Sequence, residues 1–182
     1  IPYTHSGVMS AAVTMDKDMA KRVARTHGIP VAESRVMNRH DFPSVHPMKP
    51  PYVVKPVAEG SSFGVVIVKE DQPHPPQIVT SPEWKYGDRV MVERYVHGRE
   101  LTCAVMGDVA LGVTEIIPQG HQFYDYDSKY VAGGSNHVCP AEISPNIYQT
   151  ITKLALKAHQ AFGCRGVTRS DFRYDDRFSP NG

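Results

Sequence analysis

Residues 55–65 read Lys55-Pro56-Val57-Ala58-Glu59-Gly60-Ser61-Ser62-Phe63-Gly64-Val65, and the architecture of the chain turns on how this stretch folds. Upstream, Tyr52-Val53-Val54-Lys55-Pro56-Val57 is rich in β-branched residues and reads as a strand; downstream, Val65-Val66-Ile67-Val68 reads as another. Between them the small residues form a flexible turn whose successive N–H groups can converge on an anion, with serine hydroxyls as further donors and Lys55 as a full positive charge. An ordinary hairpin turn beside an exposed lysine accounts for the same residues. The pattern is not a Walker-type loop, because G-x-x-x-x-G-K-[ST] is absent and a strand rather than a helix follows.

Working outward toward the N-terminus, Thr14 is expected to cap a helix carried by Met15, Met19 and Val23, with Ala20 and Ala24 beside them, and closed by Gly28 and Pro30. A polar, proline-rich connection then spans residues 38–51. In the other direction, Val90 to Val96 reads as a strand broken by His97-Gly98-Arg99, and Leu101 to Met106 with Val109 to Ile117 as a hairpin around Gly107-Asp108. A change of domain is expected near residues 97–100. From Pro118 to Pro145 glycine, asparagine, aspartate, serine and aromatics mix without a helical or strand period, which is long for a connection and suits a lid. Ser144 and Pro145 then begin a helix carried by Ile147, Ile151, Leu154, Ala158 and Phe162 and closed by Gly163. In the last expected strand, Gly166 to Tyr174, Val167, Arg169, Asp171 and Arg173 share one face.

That face brings together a cation able to steady developing negative charge, Arg169, and a carboxylate able to hold a metal ion, Asp171. Mg²⁺ prefers oxygen ligands and often takes only one or two protein carboxylates, with phosphates and water completing its shell. A salt bridge on a solvated face is the simpler alternative. Phe123-Tyr124-Asp125-Tyr126-Asp127-Ser128-Lys129-Tyr130 sets three tyrosines and a lysine in the irregular segment, either as a substrate lid or as rings covering a satellite core. The nine histidines form no H-E-x-x-H, His137-Val138-Cys139 is a weak metal candidate, and no G-x-S-x-G elbow supports covalent serine catalysis. Cys139 and Cys164 are expected to be packed thiols.

The 182 residues, 41% hydrophobic and 21% charged, suffice for a substantial core in one domain or two small ones. Lys+Arg 20 against Asp+Glu 19 gives a net charge of +1, which supplies no global field for nucleic acid. No apolar run approaches a membrane span, so neither nucleic acid nor membrane is an expected partner. Three scattered cysteines without a C-x-x-C pair fit a reducing, cytoplasmic setting. A first residue of Ile and a final Pro-Asn-Gly turn with no following strand suggest an internal segment of a longer polypeptide.

Taken in order, Pro2-Tyr3-Thr4-His5-Ser6-Gly7, Met15-Asp16-Lys17, Val54 to Gly64, Met91-Val92-Glu93-Arg94-Tyr95-Val96, Gly98-Arg99-Glu100-Leu101-Thr102, Phe123 to Tyr130 and Arg169-Ser170-Asp171-Phe172 resemble the D-alanine–D-alanine ligase family of ATP-grasp enzymes. Each segment alone is weak, whereas the ordered set covers nearly the whole chain and is specific. The resemblance implies an α+β fold of antiparallel sheets flanked by helices, with nucleotide between two subdomains. Residues 1–15 would be the tail of an N-terminal domain, 16–98 the central ATP-grasp subdomain, and 99–182 part of the C-terminal one, with a lid at about 118–142.

It also implies an ADP-forming enzyme that uses ATP and Mg²⁺, or Mn²⁺, to phosphorylate the carboxylate of one D-alanine so that the amine of a second attacks the acylphosphate, giving a dipeptide for peptidoglycan. By that resemblance Lys17 and Lys55 reach the ATP phosphates, and Glu59, Gly60, Ser61 and Ser62 fold over them, with Ser61 also counted as catalytic. Glu93, Arg94, Tyr95 and Val96 resemble the adenine-binding hinge, and Glu100 the ribose-binding carboxylate. In the lid, Tyr124 would face the nucleotide, Lys129 would contact the γ-phosphate, and Tyr130 would favour dipeptide over depsipeptide. Arg169 resembles the arginine that stabilises the tetrahedral intermediate, and Asp171 one Mg²⁺ ligand. The remaining Glu-x-Asn metal ligands are expected beyond Gly182, so the isolated segment is expected to be inactive and the full-length protein a homodimer. Alternatives are a D-alanyl-D-lactate type of ligase and a non-catalytic nucleotide-binding module.

Overall fold

The computed structural model describes residues 2–119 and 134–177. In chain order these form helices α1 (Val8–Met15) and α2 (Lys17–Thr26), then strands β1 (Ser34–Asn38), β2 (Tyr52–Pro56), β3 (Val66–Val68), β4 (Arg89–Arg94), β5 (Arg99–Met106), β6 (Val109–Pro118) and β7 (Ser135–Val138). Helix α3 (Pro145–Ala161) and strand β8 (Val167–Tyr174) follow. The strands make two antiparallel four-stranded sheets, ordered β1-β4-β2-β3 and β7-β6-β5-β8. The fold is therefore α+β. The chain passes from one sheet to the other between Arg94, where β4 ends, and Arg99, where β5 begins.

Side-chain alternation decides which residues reach the core and which reach the space between the sheets. In β2, Tyr52 and Val54 join Val68, Val79, Trp84, Val90 and Val92 in the first core, which turns Val53 and Lys55 to the opposite face. In β4, Val90 and Val92 point inward, leaving Met91 and Glu93 on the Lys55 side. Leu101, Cys103 and Val105 of β5 pack with Val113, Ala141 and the α3 residues Ile147, Ile151 and Ala155 in a second core. Each leucine, isoleucine or valine side chain among them contributes about 1.5–3 kcal/mol on burial. Ser144 caps α3 by accepting from the Ile147 amide, and Pro145 fills its first turn.

Several expectations from the sequence need correction. Asp16, not Thr14, caps the lysine-bearing helix: its carboxylate accepts from the Asp18 and Met19 amides, each at 3.0 Å. Thr14 lies inside the separate helix α1 and donates to the Ser10 carbonyl. Met15 and Met19 are exposed rather than core residues. Strand β1 lies in a stretch with only Val36 and Met37 as apolar signals, its pairing supplied by the adjacent strand β4, which is distant in sequence. Part of the aperiodic segment, Ser135–Val138, is a strand at the sheet edge, held by β6. Cys139 is exposed rather than packed, while Cys103 is the buried thiol, its pKa raised by desolvation. Among the described residues no helix is long and apolar enough to cross a membrane.

Gly98, in the passage between the sheets, has φ +89°, and a Cβ placed on it would sit 2.2 Å from the Tyr174 carbonyl oxygen and 3.0 Å from Asp175 Cα. Both the left-handed backbone and the close approach exclude a side chain. Gly98→Ala is expected to destabilise the protein by about 2 kcal/mol or more, lowering Tm by several degrees in a thermal melt. A melting curve superimposable on that of the wild type would show that the approach is not a constraint.

Candidate ATP-grasp site

Between the two sheets lies a cleft of about 890 Å³, lined by α2 and residues 30–32, β2, the turn after it, the end of β4 with residues 95 and 96, Glu100 of β5, helix α3 and the end of β8. Its electrostatic centre is Glu93. This carboxylate, its side chain 15% exposed, receives Lys55 on one oxygen and Lys21 on the other. Burial acts to raise the Glu93 pKa, but the two ammonium groups outweigh it and hold the carboxyl below its ordinary value. Lys21 also donates to the Ala32 carbonyl at 2.7 Å.

Lys17 and Lys21 are four residues apart on one face of α2, so both ammonium groups enter the cleft from the same side. The Lys17 ammonium donates to the carbonyls of Val57 and Glu59, which ties the start of α2 to the turn after β2. Desolvation, reinforced by Lys55, holds Lys17 below the ordinary lysine pKa, and desolvation does the same to Lys21 against the opposing pull of Glu93. Cations confined in this way gain when an anion arrives.

The turn itself is strained. Ser61 and Ser62 are consecutive non-glycine residues in the left-handed region, at φ 49° and 67°. Such residues cost on the order of 1 kcal/mol each and persist where surrounding structure enforces them. Gly64, at φ +67°, supplies that enforcement: a Cβ there would meet the Tyr86 ring at 2.6 Å and Pro56 Cγ at 2.8 Å, so the turn closes tightly against both. The Phe63 amide returns to the Gly60 carbonyl at 3.1 Å. Gly60, Ser61 and Ser62 consequently line the cleft beside Lys17 and Lys55.

Across the cleft, Glu100 of β5 and Arg173 of β8 are register partners, as are Thr102 and Asp171. Arg173 pairs with the Glu100 carboxylate at 3.3 Å, and Thr102 Oγ1 donates to Asp171 at 2.7 Å. Arg169 and Asp171 form a two-pronged ion pair, at 2.9 and 3.1 Å, with both side chains half exposed. Exposed pairs of this kind add little stability. Asp171 lines the cleft, whereas Arg169, its ion-pair partner, is not among the lining residues.

The structure thus gathers Lys17, Lys55, Glu59, Gly60, Ser61, Ser62, Glu93, Arg94, Tyr95, Val96, Glu100 and Asp171 around one cavity. Tyr124, Lys129 and Tyr130 lie outside the described residues. Glu93 differs in emphasis from its expected place in a base-binding hinge, because its carboxylate is occupied by the two lysines. Three charged residues of the lining, Lys21, Arg173 and Asp175, escaped the sequence reading as site members. Lys21 was detectable from its spacing to Lys17. Arg173 was recognised as sharing a face with Arg169 and Asp171, but its partners lie more than 70 residues earlier and leave no local signal.

Two antiparallel sheets, joined by a short hinge and enclosing a lysine-lined cleft beneath a glycine–serine turn, define the ATP-grasp architecture. The profile described as "D-ala D-ala ligase C-terminus" matches residues 23–179. The chain belongs to that family. It is 76% identical over its full 182 residues to a D-alanine–D-alanine ligase of Rhizobium meliloti (strain 1021), covering 59% of that protein. Among solved structures, a D-alanine–D-alanine ligase from Bacillus anthracis is similar with TM-score 0.73 and 26% identity, over 97% of this chain and 58% of that one. A D-Ala:D-Ser ligase from Enterococcus faecalis gives TM-score 0.75 and 29% identity, over 97% of this chain and 53% of that one. The chain therefore spans a little over half the length of the relatives it matches.

Replacing Glu93 with Gln leaves Lys21 and Lys55 facing each other without their shared anion, and is expected to cost about 3 kcal/mol. Because the Glu93 carboxyl is held low in the folded protein, its contribution is present above the ordinary 4.5 and lost as pH falls through the lower folded value. Thermal melts across acid pH should show that loss in the wild type and a smaller one in Glu93→Gln. Parallel acid profiles would contradict the role given to this ion triad.

Proposed function

We propose that the chain contributes the greater part of an ATP site to an ADP-forming D-alanine–D-alanine ligase. The supporting observation is the single cleft in which three lysines and the constrained serine turn face the Glu100 and Asp171 carboxylates across the two sheets. Polyphosphate carries several negative charges on oxygens, matching Lys17, Lys55 and the donors of Ser61 and Ser62. A purine suits the backbone at Glu93 to Val96, with Arg94 and Tyr95 in the same wall, and a ribose suits a carboxylate acceptor at Glu100. ATP is thus the nucleotide this reading selects.

The donor chemistry of Asp171 fits Mg²⁺ or Mn²⁺ as one oxygen ligand among several, although its carboxylate is paired with Arg169 and hydrogen-bonded to Thr102. Among the described residues no group of three His, Cys, Asp or Glu side chains could hold a metal, so substrate phosphates and other residues must supply the remaining ligands. A bound divalent ion would offset phosphate charge. In the reaction proposed, a carboxylate oxygen of one D-alanine attacks the γ-phosphorus and the phosphoanhydride bond to ADP breaks. The amine of a second D-alanine then attacks the acyl carbon, and its nitrogen surrenders a proton as inorganic phosphate leaves.

Lys17 and Lys55 hold the phosphates in line, and Ser61 lies where a donor can orient the reacting oxygens. Arg169, released from Asp171, provides the cation for the tetrahedral oxyanion. Tyr124, Lys129 and Tyr130, which lie outside the described residues, complete this assignment by the family resemblance. The whole protein is read as a cytoplasmic homodimer acting in cell-wall synthesis.

The test is Mg²⁺-dependent ADP release by the complete protein carrying this sequence, offered D-alanine, D-lactate with D-alanine, or L-alanine. Stimulation by D-alanine alone is expected. ATP binding without that stimulation would assign a different substrate. Arg169→Ala should lower kcat by about 10² to 10³ while leaving ATP binding intact, and near-normal turnover would remove Arg169 from the mechanism. Since Lys17 and Lys21 are held below the ordinary lysine value of 10.5, ATP affinity should weaken in alkali before pH reaches that value. A flat titration of Kd up to that pH would argue against these ammonium groups as phosphate ligands.

A further inference from the structure

Three contacts converge on Arg173, which is absent from the set of residues given chemical roles above. Its Nε donates to the Val96 carbonyl at 3.1 Å, one terminal nitrogen to the Gly98 carbonyl at 3.2 Å, and the other to the Glu100 carboxylate at 3.3 Å. Its guanidinium carbon also stands 5.7 Å from the centre of the Tyr95 ring. A single planar cation on β8 therefore gathers the whole passage from Tyr95 to Glu100. The rigid fork of guanidinium makes this possible, since an ammonium group cannot span three acceptors in one plane.

We propose that Arg173 is a positioning residue for nucleotide binding: it fixes the passage between the sheets, and with it the orientation of the Glu100 carboxylate, in the shape that accepts the base and ribose. The inference rests on the ATP-site reading above. Gly98 supports it independently of any ligand, because its contact with the Tyr174 carbonyl brings the same passage against the end of β8. Glu100 and Arg173 are also direct cross-strand partners, so the cation reaches the carboxylate without distorting the sheet. Neutralising Arg173 removes its hydrogen bonds to two backbone carbonyls and its pairing with the Glu100 carboxylate, which loosens the passage and the orientation of that carboxylate. The expected result is weaker ATP binding, with the chemical step little changed.

The test compares wild type, Arg173→Met, Arg173→Lys and Glu100→Gln in the complete protein, measuring Kd and KM for ATP and for its deoxyribose analogue, kcat, and Tm. Arg173→Met should raise Kd and KM for ATP by about tenfold or more with kcat within about threefold of wild type. It should also narrow the preference for ATP over the deoxyribose analogue. Arg173→Lys should recover part of the affinity by reaching one of the three acceptors. An Arg173→Met protein with lowered Tm but unchanged Kd and KM would make the residue merely structural and overturn the proposal. If Arg173→Met does not fold, unchanged ATP affinity in Arg173→Lys overturns it instead. A Glu100→Gln variant that keeps the ribose preference removes Glu100 from the ribose site, while the Arg173 variants still decide whether the passage is positioned by this cation. A wild type that binds no ATP overturns both readings.

Discussion

Glu93 is the anion on which the cleft depends. Its carboxylate joins Lys21 from helix α2 to Lys55 from strand β2, while its own backbone belongs to β4. Helix α2 is thereby tied to two neighbouring strands of one sheet around one buried charge. The arrangement has an energetic logic. Two lysines confined together would repel, and a lone buried carboxylate would be costly, so each charge is tolerable only in the presence of the others. Lys17 stands beside this triad with backbone carbonyls as its partners, leaving the cleft poised for a further anion.

From that centre, sheet alternation does the rest. One face of β2 and β4 builds a core of valines, tyrosine and tryptophan, and the opposite face delivers Lys55 and Glu93 to the cleft. The second sheet repeats the scheme, with Leu101, Cys103 and Val105 inward and Glu100 beside Thr102 on the side of Asp171 and Arg173. Between the sheets the chain has only the residues from Tyr95 to Gly98 in which to turn, and glycine is required there because the backbone of β8 comes so close. Site and hinge are consequently one piece of structure.

How much of this was readable from the sequence follows from the range of the interactions. The two hydrophobic strands around the glycine–serine turn, the β5–β6 hairpin and the capped helix α3 are specified by residues near one another, and all of them form. Strand β1 and strand β7 carry weak local signals and exist because β4 and β6 offer them partners. The helix boundary at Asp16 was missed because Thr14 and Asp16 are both acceptable caps, and only the second turns its carboxylate onto free amides. The site residues of the ordered motifs, among those described and Arg169 aside, meet around one cleft. The motifs did not reveal that the Glu93 side chain serves the lysines, or that Arg173 closes onto the hinge, since both depend on contacts between distant strands.

Membership of the ligase family and a lysine-rich cleft of this shape both support the proposed nucleotide site, one through shared sequence and the other through charge and geometry. The account's central claim is that the space around Glu93 is where a nucleotide sits. A crystal structure of the complete protein with a non-hydrolysable ATP analogue and Mg²⁺ tests it most directly. The account predicts phosphates within hydrogen-bonding reach of Lys17, Lys55 and the turn at residues 59–64, with the base against residues 93–96. A nucleotide bound outside the space between the two sheets, or none at saturating concentration, would contradict it.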